Sequence, residues 1–162
     1  IDRQPAAIEL GRAETLRFGQ DGVIVACGTM LTASVAAADR LREDGLALGV
    51  INARFAKPLD RETILHAVEE SPLVLTVEEA ALMGGFGSAV LEAASEAGLD
   101  TSRIRRLGVP DRFVEHGSRR ELLADLGLDE DGIVRACGRY AGRRDVLEST
   151  DPGRPFTGST PG

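Results

Sequence analysis

The sequence predicts an α/β fold: a sheet dominated by parallel strands, with helices on both faces. Two observations predict it. Short apolar, β-branched runs alternate along the chain with longer stretches of helical periodicity, the pattern of βαβ units. Aromatic residues make up only 4% of the 162 residues, with no Trp and a single Tyr, Tyr140. The core is therefore built from Val, Leu, Ile and Ala, a mix that suits α/β layers better than an all-β sandwich. A chain of this length forms one compact domain and buries roughly 68–70% of the surface its unfolded form exposes.

The elements follow in order. Residues 1–21 read as a linker with an edge strand over Ala13–Phe18. Val23-Ile24-Val25-Ala26-Cys27, bounded by Gly22 and Gly28, is a continuous β-branched run and predicts a buried strand. Leu31, Val35, Ala38 and Leu41 fall at helical spacing, and Gly45 is placed to end that helix. Leu46–Ile51 predicts the next strand. Pro58 disfavours helix at Lys57, and Asp60 is an N-cap for a helix carrying Ile64, Leu65 and Val68 on one face. Ser71-Pro72 stops it. Leu73–Val77 predicts a buried strand, followed by a glycine cluster and a helix over Gly87–Ala97. Arg103–Val109 predicts the last strand. Ser118 and Glu121 match a capping box, and a final helix begins near Asp129 with Ile133, Val134, Cys137 and Tyr140. Residues 146–162 hold Pro152, Pro155 and Pro161 among Gly, Ser and Thr, with almost nothing to bury, and read as a disordered tail.

A formal net charge of -7 argues against a phosphate backbone as partner. No apolar run approaches the roughly 18 residues that span a bilayer, and no signal peptide is visible. Cys27 and Cys137 have neither CxxC nor metal spacing and read as buried free thiols of a reducing cytoplasm. Ile1 in place of Met reads as the mark of a processed chain or a fragment.

The stretch from Val77 to Val90 poses the functional question. It places Glu78 and Glu79 at a strand end and Gly84, Gly85, Phe86 and Gly87 at a helix start, where open α/β sheets build their sites. Gly85-Phe86-Gly87 begins a GxGxxG fingerprint, but Val90 stands at its third glycine. A helix N-terminus favours an anion by about 0.3–1 kcal/mol. A carboxylate at about 4 Å opposes each unit of phosphate charge by about 1 kcal/mol in water, so two of them cancel the benefit. Three readings stay open: a phosphate cradle, a tight turn with close packing, or a contact with another domain. The Glu78–Glu79 pair offers acid–base or metal chemistry, yet adjacent strand residues point to opposite faces, and a solvated or salt-bridged pair is the plainer account. His66 falls within an amphipathic helix. His116, in Asp111-Arg112-Phe113-Val114-Glu115-His116-Gly117, lies just past a strand end and is the better functional candidate. Arg103, Arg105, Arg106, Arg112, Arg119 and Arg120 form a basic run that suits phosphate or salt bridges. No serine or cysteine has a nucleophile context such as GxSxG.

Three stretches together carry a family resemblance. Ala53-Arg-Phe-Ala-Lys-Pro-Leu-Asp60, the Val77–Val90 stretch, and Arg106-Leu-Gly-Val-Pro-Asp-Arg-Phe-Val-Glu-His-Gly-Ser118 resemble, in order and spacing, the C-terminal domain of 1-deoxy-D-xylulose-5-phosphate synthases. These are transketolase-like enzymes. The resemblance spans about Gly28–Gly138. It implies a three-layer α/β/α domain over 22–145, with a mostly parallel, mixed sheet of about five strands and one antiparallel edge. It also implies a parent homodimer that uses thiamine diphosphate and Mg²⁺ on pyruvate and D-glyceraldehyde 3-phosphate, in a pathway feeding isoprenoids, thiamine and pyridoxal. In that family the cofactor is held by the first two domains, the diphosphate through a GDG motif with a downstream Asn. Here the nearest matches are Gln20-Asp21-Gly22, Glu43-Asp44-Gly45 and Glu130-Asp131-Gly132. The resemblance thus assigns this chain no catalytic, cofactor-binding or metal residue. It implies that Glu78, Glu79, Gly84, Gly85, Phe86, Gly87, Arg112, Phe113, His116 and Gly117 lie at or near a domain or dimer contact. The corresponding domain of a 2-oxoacid dehydrogenase β subunit shares the Pro-Leu-Asp turn and the strand-end glutamates, while the Pro110–Gly117 segment favours the synthase. A standalone small-anion-binding or regulatory module is the reading from another class.

Overall fold

The structure, a computed structural model, describes residues 7–142. The elements run β1 (Glu14–Arg17), β2 (Gly22–Ala26), α1 (Leu31–Glu43), β3 (Leu48–Asn52), α2 (Arg61–Glu70), β4 (Val74–Ala81), α3 (Phe86–Glu96), β5 (Ile104–Val109), α4 (Arg119–Asp125) and α5 (Glu130–Tyr140). The tail expected over 146–162 lies outside the described residues.

The strands form one five-stranded sheet in the order β1-β3-β2-β4-β5. β2, β3, β4 and β5 are parallel, and β1 lies antiparallel to β3 at the edge. The mixed sheet of about five strands is therefore present, with β1 inside the stretch read as an edge strand. β2 is buried along its whole length because it sits at the sheet's centre with both faces covered, which is why its sequence is a continuous apolar run rather than an alternation. Alternate residues divide between two cores. Ile24, Leu48, Val50, Leu75 and Val77 pack with Leu41 of α1 and Ile133 of α5. Val23, Val25, Ile51 and Val74 pack with Ile64 of α2 and Phe86 and Val90 of α3. These are the three layers.

Caps fix where the helices begin. Asp60 accepts Thr63 N–H at 3.1 Å and Thr63 Oγ–H at 3.0 Å, and it also accepts Ala13 N–H at 2.8 Å. It thereby ties the chain ahead of β1 to the start of α2. Ser118 and Glu121 form the expected capping box at α4, and Asp129 caps α5.

Two expectations change. β4 continues through Glu78 and Glu79 to Ala81 instead of ending at Val77. A register irregularity lies between Val77 and Ala81, and beyond it Leu82 N–H donates to Val109 O at 2.8 Å, so pairing with β5 resumes past the glutamates. Cys27 is only partly buried, whereas Cys137 is fully buried; both are free thiols. The difference follows from position, since Cys27 lies just beyond the C-terminal end of β2. No helix among the described residues is long and apolar enough to cross a membrane.

Candidate functional site: the carboxyl edge of the sheet

The chain leaves β2 toward β3 on one side and later builds β4 and β5 on the other. The direction of winding therefore reverses between β2 and β4. In such sheets the crevice beyond the strand ends at the reversal is the customary ligand position. A cleft of about 420 Å³ lies there, lined by Cys27, Thr29, Ala56, Lys57, Ala80 and Phe86 among others.

Glu78 and Glu79 diverge as strand alternation requires. Glu78 follows Val74 and Thr76 onto the face covered by α3 and is 2% exposed. Its Oε2 accepts Phe86 N–H at 2.6 Å and its Oε1 accepts Gly87 N–H at 2.8 Å. The N-terminus of α3, with its partial positive charge, is thus filled by a carboxylate from the strand below it. The glycines make this approach possible. A Cβ at Gly85 would collide with Glu78 Oε2 and the Ala81 carbonyl, and one at Gly87 would press on Thr76 Oγ and the Arg106 stem. Gly84 adopts φ 71° to turn the chain, and nothing crowds it.

The rest of the loop is tied from the sheet. Arg106 Nη1 donates to Leu82 O and to Ser88 Oγ, each at 2.8 Å, and Ser88 Oγ accepts Gly84 N–H at 3.0 Å. Glu79 faces the opposite layer. Arg119 Nε and Nη2 reach its two oxygens at 2.8 and 2.6 Å, and Thr29 Oγ–H donates to Oε2. The hydrogen bonds from Arg119 first, and that from Thr29 second, hold the Glu79 carboxyl below the usual carboxylate range. This carboxylate therefore joins β4, the turn after β2, and α4.

The arrangement does not fit a diphosphate. The helix amides it would need are already engaged, and a buried carboxylate stands in its place. Nor do the two glutamates fit one metal ion, since they lie on opposite faces of β4. The basic run also disperses. Arg103 pairs with Asp100, Arg105 lies over the Tyr140 ring 5.2 Å from its centroid, and Arg106 and Arg119 hold the contacts above. His66 shares the outer face of α2 with Glu69 and Glu70, all three exposed. His116 and Arg112 border a groove of about 640 Å³ between the loop after β5 and α4, together with Phe113, Gly117 and Leu122.

The predicted set therefore splits. Glu78, Phe86 and Gly87 are buried within the domain. Glu79, Gly84, Arg112, Phe113, His116 and Gly117 are exposed, and Gly85 is intermediate. Thr29, Ser88, Arg106 and Arg119 were not singled out together, because each acts through a partner 18 to 50 residues away in sequence.

Known proteins share this architecture. The family model for the transketolase C-terminal domain matches residues 11–133. The chain belongs to the transketolase C-terminal domain family. Among curated relatives of this domain, a 1-deoxy-D-xylulose-5-phosphate synthase of Geobacter sulfurreducens is 48% identical over 140 residues, covering 86% of this chain and 22% of the relative. A synthase of the same name from a Synechococcus strain is 53% identical over 127 residues, covering 78% of this chain and 19% of the relative. The domain thus spans about a fifth of the length of these relatives. A solved structure of a split-gene transketolase, in an inactive β4 tetramer, aligns with TM-score 0.74 and 32% identity over 90% of this chain and 45% of its own. A Pichia stipitis transketolase aligns with TM-score 0.58 and 20% identity over 80% of this chain and 18% of its own, a likeness of fold.

Proposed function

We propose that this domain is the C-terminal, third domain of a thiamine diphosphate-dependent 1-deoxy-D-xylulose-5-phosphate synthase. Its parent joins pyruvate to D-glyceraldehyde 3-phosphate with loss of carbon dioxide, as a cytoplasmic homodimer. The observation that carries this reading is the likeness to synthases of that name over 86% and 78% of this chain. The domain's own part is packing and assembly. Support for that comes from the loop most like a cofactor cradle, which is closed by Glu78 and tied by Arg106 and Ser88. Thiamine diphosphate and Mg²⁺ belong on the parent's other domains.

The test is an assay of the full-length parent with pyruvate, D-glyceraldehyde 3-phosphate, thiamine diphosphate and Mg²⁺. The expected result is 1-deoxy-D-xylulose 5-phosphate from the full-length enzyme and no turnover from this domain alone. Transfer of an acyl group from the parent to a lipoyl-bearing acyltransferase, or product from the isolated domain, would overturn the reading.

A further inference from the structure

The contacts that close the glycine loop leave the cleft at the reversal between β2 and β4 open. Its volume of about 420 Å³ lies in the range of small-ligand sites, about 300–1,000 Å³. Ala56, Phe86 and Ala89 give it mostly apolar walls, and the partly buried Cys27 belongs to its lining. Its charged groups differ in what they already hold. Glu78 is balanced by the Phe86 and Gly87 amides, and Glu79 by Arg119 and Thr29. Lys57 is the only cation that borders the cleft. It is exposed, and its side chain has no hydrogen-bond or ion-pair partner among the described residues. It is also the only lysine in the sequence. An ammonium is a compact charge on a flexible stem, suited to a single carboxylate. The loop that carries Lys57 is fixed at both ends. Arg54 takes φ 56°, a left-handed conformation uncommon outside glycine. Its N–H donates to Asn52 Oδ1 at 3.1 Å, and its guanidinium pairs with Glu14 at 2.8 Å. Asp60 caps α2 at the other end. Strained residues of this kind gather at ligand clamps.

We propose that this cleft is a binding site for a small organic monocarboxylate with an apolar body, with the Lys57 ammonium as its charge partner. One free cation matches one negative charge. A dianion such as phosphate gains the same cation, but it meets the repulsion of Glu78 and Glu79 at double charge. It also has nothing to place against Ala56, Phe86 and Ala89. The site takes nothing from the start of α3, whose amides stay on Glu78. It therefore goes beyond the packing role proposed for the domain, and it stands whichever substrates the parent uses.

Cys27 serves as a reporter inside the cleft. The probe is benzoate, with benzamide as its neutral counterpart and inorganic phosphate as the anion without an apolar body. In the full-length parent at about pH 8, iodoacetamide modification of Cys27 is followed by mass spectrometry of its peptide. Benzoate at about 10 mM is expected to slow it at least about threefold, as a dissociation constant of about 5 mM or tighter requires. That is a modest demand on a ligand of about nine non-hydrogen atoms. Benzamide and phosphate at the same concentration are expected to leave the rate within about 1.5-fold. Lys57→Gln removes an exposed charge and no contact, so it is expected to abolish the benzoate effect in a folded protein. Benzoate without effect on Cys27 would overturn the proposal. So would equal protection by benzamide or phosphate, or protection that survives Lys57→Gln. A Cys27 that reacts only on unfolding of the parent would overturn it too, because a cleft shut to iodoacetamide is shut to the larger benzoate. No readout uses product formation, so an error about the parent's substrates and an error about the cleft are separable.

Discussion

Removal of the Glu78 carboxylate tests the account of the glycine loop. Glu78 accepts the Phe86 and Gly87 amides at 2.6 and 2.8 Å and is 2% exposed. Hydrogen bonds to a charged group contribute about 1.5–3 kcal/mol each, so the pair contributes about 3–6 kcal/mol. Water entering the vacated space recovers part of this, and Glu78→Ala is expected to cost about 3–4 kcal/mol. For a chain of this size that lowers Tm by about 6–16 °C. Glu78→Gln is expected to fall between, at about 2 kcal/mol, because its amide oxygen accepts one N–H while its NH₂ group faces the other. Gly85→Ala drives a Cβ into the same carboxylate and the Ala81 carbonyl, so it should approach the Glu78→Ala loss. The double variant should lose less than the sum, because half of the collision is gone. Urea unfolding at neutral pH with unchanged m-values reads all of these. A Glu78→Ala loss below about 1 kcal/mol, with amide protection at the start of α3 intact, would refute the reasoning and mean that something else holds that terminus.

Three further outcomes are expected. Asp60 is depressed overall: burial pushes its carboxyl up, but hydrogen bonds from Ala13 and Thr63 and the Arg12 charge more than offset that. A depressed carboxyl stabilises the fold fully above its unfolded pKa of about 3.9 and loses that contribution as pH falls through the lower folded value. Asp60→Ala should therefore cost about 2–3 kcal/mol at neutral pH, from the lost cap and the orphaned Ala13 amide, and the gap to wild type should close in urea titrations run below about pH 4. Burial pushes the Cys137 thiol up to about 12, and burial together with the Glu78 charge raises Cys27; a thiol reagent at about pH 8 should modify Cys27 slowly and Cys137 only on unfolding. Arg119→Ala should speed hydrogen exchange in residues 110–122 while leaving β4 and α3 protected, because Arg119 ties α4 to the sheet through Glu79. Unchanged exchange in that segment would show that the pair positions nothing.

Most of the fold is legible in the sequence because its elements obey local rules. The run over 23–27 and the capping residues Asp60, Ser118 and Asp129 each specify a structure from neighbours within a few positions. The limit of β4 was not legible, since its last residues are strand only by virtue of the Leu82–Val109 pairing with β5. The candidate site was half legible. Strand alternation places Glu78 and Glu79 on opposite faces, which already argues against a shared metal. What the two carboxylates meet depends on α3, Thr29 and Arg119, and no local pattern reports contacts across 40 or 50 residues.

The closed loop sharpens how a glycine-rich strand-to-helix turn is to be read. A phosphate cradle requires helix amides with no partner of their own. Here the amides at the start of α3 are taken by a carboxylate eight and nine residues upstream, on the strand face that α3 covers. Its approach depends on Gly85 lacking a Cβ. The same glycines that suggest a ligand loop are thus what admits an internal acid, and the acid's parity with Val74 and Thr76 separates the cases. An acid in register with the core-facing residues of its strand is aimed under the helix and satisfies the amides from within. An acid of the other parity, such as Glu79, leaves them free and takes its partners from the opposite layer. By this criterion the loop is a clasp between β4 and α3. It ties the carboxyl edge of the sheet to the helix above it, and the segment that leaves β5 at that same edge is fastened there through Arg119 and Glu79.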